Sequence, residues 1–117
     1  MTTRAPTAAC FLLVAQVANA ATGECLLEVD NRSYMDGPCN IVMGRGGSFS
    51  IGIGDRRRSR YFAYVDVDAD EGVARGYWNG EEGASHAHYD LGTLVRQGAC
   101  WVNARAKVCA WRRGTRK

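Results

Sequence analysis

Ala99-Cys100-Trp101-Val102-Asn103 and Lys107-Val108-Cys109-Ala110-Trp111 are two alternating runs separated by Ala104-Arg105-Ala106. A period of two is the mark of a half-buried strand, and so short a separation predicts a hairpin. Folding the runs about Ala104-Arg105 sets Cys100 opposite Cys109 and Trp101 beside Val108 on the other face. The pairing decides the fold class, because the chain upstream reads in the same way.

Cys25, Leu27 and Val29 alternate with Leu26 and Glu28, and Asp30-Asn31-Arg32-Ser33 supplies a turn into Tyr34-Met35. Asp36-Gly37-Pro38 reads as punctuation before a strand over residues 39–43. Phe49, Ile51 and Ile53 alternate with Ser48, Ser50 and Gly52, the pattern of a strand with one wet face. Residues 60–66 and 73–78 form a second hairpin about the acidic turn at 68–72. Residues 91–95 are compatible with a short strand or a single helical turn. No segment carries a 3.6-residue stripe. The expectation is an all-β domain, an antiparallel barrel or sandwich of about seven or eight short strands.

The chain has 117 residues, 46% of them apolar, and no apolar run long enough for a membrane helix. Its concentrated apolar stretch, residues 8–17, follows Arg4 and precedes Ala18-Asn19-Ala20, a small-x-small site. Residues 1–20 therefore read as a secretory signal peptide that carries Cys10 away with it. Residues 21–111 then form one β-domain and 112–117 a basic disordered tail. Four cysteines remain, Cys25, Cys39, Cys100 and Cys109, and an even count in a small exported chain predicts two disulfides. The short-loop pairing, Cys25–Cys39 with Cys100–Cys109, is preferred among three connectivities. A periplasmic or secreted location follows.

The formal charge of +3 conceals strong segregation: residues 61–90 carry seven acids against Arg75 alone, whereas 91–117 carry seven bases and no acid. Arg56, Arg57, Arg58 and Arg60 form a basic loop beside Tyr61 and Phe62. Such a surface suits polyanions, with nucleic acid disfavoured by export and envelope phosphates, anionic headgroups or an acidic protein in its place.

Residues 79–90, rich in Gly, Ser, Glu and His, form the longest stretch without strand character and the expected functional loop. Ser85, His86, His88 and Tyr89 are its candidate ligand contacts. His86-Ala87-His88 would point two imidazoles to one side and, with Asp90, Glu81 or Glu82, offer a zinc or copper site. No cofactor is expected apart from that metal. Asp66-Val67-Asp68-Ala69-Asp70-Glu71-Gly72 has the alternating acids of a calcium loop, but its glycine stands seventh and its twelfth residue is Tyr77. No serine stands in a G-x-S-x-G context, and no residue is assigned a catalytic role.

The strings Cys25-Leu26-Leu27-Glu28-Val29-Asp30, Tyr34-Met35-Asp36-Gly37-Pro38-Cys39, Tyr61-Phe62-Ala63-Tyr64-Val65 and Gly98-Ala99-Cys100-Trp101-Val102-Asn103 resemble small exported proteobacterial proteins with four mature cysteines. The resemblance implies export and no particular activity. In size and predicted form the chain is also similar to periplasmic lysozyme inhibitors of the small-barrel type. Their Ser-Gly-x-x-Tyr loop has a loose counterpart in Gly83-Ala84-Ser85-His86-Ala87-His88-Tyr89, and no residue is carried over. The expectation is a non-enzymatic exported domain that binds an envelope protein or anionic polymer. Two alternatives stand beside it, an inhibitor of a cell-wall hydrolase and a metal-binding protein using His86 and His88.

Overall fold

The computed structural model describes residues 20–54 and 60–116. Eight antiparallel strands run in order round a closed barrel: β1 (Ala20–Val29), β2 (Arg32–Met43), β3 (Phe49–Ile51), β4 (Ala63–Asp68), β5 (Val73–Trp78), β6 (Tyr89–Gln97), β7 (Cys100–Val102) and β8 (Ala106–Arg112). Pairing of β1 with β8 closes the ring, which leaves the sheet without a terminal edge strand. The architecture is thus the barrel of the two expected forms. The signal-peptide reading and Cys10 lie, up to residue 19, outside the described residues, while Ala20 already pairs with Val42.

Alternation does most of the folding work. Cys25, Leu27 and Val29 point inward and are buried with Ile51, Val65, Leu91, Leu94 and Val108 in one core. Acidic and basic residues take the outward positions, as Asp66 and Arg75 do opposite one another on β4 and β5. Among the described residues no helix is long and apolar enough to cross a membrane.

One sequence reading of local structure is corrected and another is resolved to strand. Asp36-Gly37-Pro38 does not interrupt the chain; it lies inside β2, which runs unbroken for 12 residues. Partner strand β3 pairs only with Ile41, Val42 and Met43, so Pro38 sits where β2 has a neighbour on one side only and its missing N–H is tolerated. Gly37 supplies a φ of 142° that other residues resist. The ambiguous segment at 91–95 is the middle of the nine-residue strand β6. Leu91 is an extra residue there, since Gly76 faces Gly92 while Tyr77 faces Asp90.

Both disulfides form as preferred. Cys100 and Cys109 are direct cross-strand partners with Cα atoms 4.0 Å apart, and Trp101 faces Val108 on the inner side. Cys25 joins Cys39 across β1 and β2 with a Cα separation of 5.9 Å. The two bridges occupy opposite faces of the wall: Cys25–Cys39 belongs to the interior, whereas Cys100–Cys109 packs outside with Leu26, Val102 and Trp111. Paired cysteines fit a non-cytoplasmic setting.

Two arginines of the basic C-terminal segment meet acids from the first two strands and the turn between them. Arg105 meets Asp30 at 3.1 Å, and Arg116 lies 2.7 Å from Asp36, 3.7 Å from Glu24 and over the Trp111 ring at 4.4 Å. Of the segment read as a tail, Arg112–Arg116 are described: the chain turns back at Thr115, whose N–H donates to the Arg112 carbonyl.

Candidate functional site

Successive strands alternate in direction, so one end of the barrel gathers the turn at 30–31, residues 52–54 and 60–62 on either side of the undescribed 55–59, the loop 79–88 and the turn at 103–105. Beneath this end the rings of Tyr34, Tyr61 and Trp78 pack edge-on or tilted, with centroids 4.6–5.9 Å apart, against the barrel core. Arg32 lies over the Tyr34 ring at 5.5 Å.

What joins the two long loops is Asn79, 1% exposed. Its Oδ1 accepts the N–H of Phe62 at 3.1 Å, while Nδ2 reaches the carbonyls of Arg60, Glu81 and Ala84 at 3.0–3.1 Å. Three carbonyls around one atom and an N–H on the other fix the orientation of the amide. The Gly83 N–H also donates to Arg60 O at 3.0 Å. At Gly80, with φ of 74°, an added Cβ would run into the ring of Tyr89, so the aromatic lies directly against bare backbone.

Between the joined loops opens a cleft of about 520 Å³, lined by Gly54, Arg60, Phe62, Tyr64, Gly83 and Ser85 among others. Arg60 stands at its mouth, 3.4 Å from Glu82 in a pair that is more than half exposed on both sides. Exposed ion pairs of this kind hold weakly and exchange readily. Arg56, Arg57 and Arg58 lie outside the described residues, though both flanking residues, Gly54 and Arg60, line the cleft.

Ser85 and His86 adjoin each other, with Oγ 3.1 Å from Nδ1, and the His86 and His88 rings stack with centroids 5.3 Å apart. Asp90 does not join them. Its Oδ1 accepts the Gly92 N–H at 2.6 Å, and its Oδ2 accepts from Arg75 at 2.9 Å. Those two contacts, the Gly92 amide first, hold the Asp90 carboxyl below its ordinary value, and the Arg75 guanidinium is raised in return, chiefly by its hydrogen bond to Asp90. Among the described residues no three His, Cys, Asp or Glu side chains converge on a metal position. The acidic turn is also committed elsewhere: Asp68 Oδ1 accepts the N–H groups of Asp70 and Glu71 at 3.1 Å each.

At the same end Asn103 repeats the device of Asn79. Its Oδ1 accepts from Arg105 and Ala106, and its Nδ2 donates to Leu91 and Thr93, which pins the β7–β8 turn to the bulge of β6. Arg105 then reaches Asp30, whose carboxyl is lowered by that hydrogen bond. Neither asparagine stands out in the sequence, because each joins local backbone partners to others 10–19 residues away that come near only in the folded barrel.

No protein-family model, curated protein or solved structure matches this chain.

Proposed function

We propose that the chain is a non-enzymatic binding domain of the cell exterior, periplasmic or secreted, that holds an anionic group of an envelope component or partner protein in the loop-end cleft. The observation that supports this is the cleft itself: buried Asn79 ties both walls together, so the recognition surface is formed before the ligand arrives. Arg60 and Ser85 line it and His86 adjoins Ser85, a set rich in hydrogen-bond donors and opposed by the loosely held Glu82. Two disulfides and the apolar leader in the sequence support the exported setting.

Titration calorimetry with tripolyphosphate, at low and moderate salt, tests the reading. Binding that weakens with salt and falls about tenfold or more in Arg60→Glu is the expected result. Equal heats for Arg60→Glu and the unaltered chain would overturn it.

A further inference from the structure

On the outer face of β2, β3, β4 and β5 the cross-strand register sets Val42, Ser50, Tyr64 and Tyr77 in one row. A cavity of about 380 Å³ opens along this row, lined by Val42, Met43, Ser50, Tyr64, Asp66 and Tyr77 among others. That volume lies within the range of small-molecule sites, roughly 300–1,000 Å³. Tyr64 is its shared wall with the loop-end cleft, since it lines both.

Ser50 is the feature that calls for a ligand. It is 93% buried, at 7% exposure, and lines the cavity, yet its hydroxyl has no hydrogen-bond partner among the described residues. Asn79, the other buried polar side chain, has all its polar atoms engaged. A buried hydroxyl left unpaired is unfavourable, and a site that supplies its partner on binding recovers the bond. Also lining the cavity, the Asp66 carboxylate has a single side-chain hydrogen bond among the described residues, from the Ser48 hydroxyl at 3.4 Å.

We infer that this groove is a second binding site, for a neutral saccharide unit. Ser50 and Asp66 are its polar contacts, and the Tyr64 and Tyr77 rings its platforms. Three properties select that class of ligand. Among the described lining residues Asp66 is the sole charged group and its carboxylate accepts only, so the site takes hydroxyl donors and disfavours anions. The exposed ring of Tyr64 and the half-buried ring of Tyr77 present flat apolar faces to the C–H face of a sugar ring, with Tyr64 itself braced edge-on by Phe62 at 6.0 Å. Along the row every strand is hydrogen-bonded to both neighbours, which removes the strand-addition mode by which sheets take peptides. The inference stands apart from anion binding at the cleft, because Ser50, Asp66 and Tyr77 do not line the cleft.

The test is amide-shift mapping of the ¹⁵N-labelled chain with maltotetraose, cellotetraose and tetra-N-acetylchitotetraose in turn. The expected result is that one or more of these moves the amides of Ser50, Tyr64, Asp66 and Tyr77, with affinity about tenfold lower in Ser50→Ala and in Asp66→Asn and unchanged in Arg60→Glu. Ser50→Ala removes no side-chain hydrogen bond within the described residues and so keeps the fold. No movement at the groove with any of the three sugars, or an affinity indifferent to Ser50→Ala, would overturn the assignment.

Discussion

Asn79 accepts the backbone N–H of Phe62 through its buried carboxamide, and this one side chain couples the loop after β5 to the connection before β4. Without it the backbone carbonyls of Arg60, Glu81 and Ala84 lose their shared donor. Asn79→Ala is expected to destabilise the fold by about 2–3 kcal/mol, as several part-buried hydrogen bonds are lost together. Urea unfolding measures the loss, and hydrogen exchange should quicken at Gly83, whose N–H is bonded to Arg60 O. A stability within experimental error of the unaltered chain would show that the loops are held by something else.

Gly80 and Gly83 make a controlled pair. Both have positive φ, 74° and 82°, but a Cβ at Gly80 meets Tyr89 whereas one at Gly83 meets nothing within 4 Å. Gly83→Ala should carry only backbone strain of about 1–2 kcal/mol. Gly80→Ala should exceed it and shift the Tyr89 ring resonances, which Gly83→Ala leaves in place. Thermal unfolding of the two variants side by side decides the matter.

Acid should weaken the loop-bearing end. Asp30 is lowered by its hydrogen bond to Arg105, and Asp90 by the Gly92 amide and then Arg75, each from an ordinary value of 3.8. Carboxyls depressed on folding add stability that is fully present above the unfolded value and is lost as pH falls through the folded one. The melting temperature should therefore hold steady near neutrality and begin to drop below about pH 4. In Arg75→Ala with Arg105→Ala that drop should be shallower; an unchanged acid limb would exclude these pairs as its source.

The disulfides close loops of unequal length, with separations of 14 residues for Cys25–Cys39 and 9 for Cys100–Cys109. Replacing either pair by alanine should cost about 2–4 kcal/mol in urea unfolding, with the longer loop costing more. The reverse order would point to the outer cluster of Leu26 and Trp111 around Cys100–Cys109 as the larger contribution.

Strand content, the terminal hairpin and the partner of each cysteine were legible because they rest on period-two alternation and on loop length, both local properties. Barrel closure was not, since pairing of Leu26 with Cys109 joins residues at opposite ends of the sequence. Asp36-Gly37-Pro38 misled because turn residues were read without knowing that this half of β2 has an open side. At the candidate site composition marks 79–90 as a loop, but β6 begins at Tyr89, so the loop ends at 88 and register turns Asp90 towards Arg75 and away from His86 and His88. The groove at Ser50 was missed altogether. Its one sequence signal, an outward serine on β3 level with outward tyrosines on β4 and β5, becomes visible only once the strands are placed side by side.

The claim that the loop-end cleft is the recognition surface is tested most directly by amide-shift mapping of the ¹⁵N-labelled chain with lipopolysaccharide micelles, against neutral detergent micelles as reference. The account predicts movement centred on Gly54, Arg60, Phe62, Gly83 and Ser85 that fades with added salt. Movement confined to other parts of the barrel, or equal movement with the neutral micelles, would contradict it.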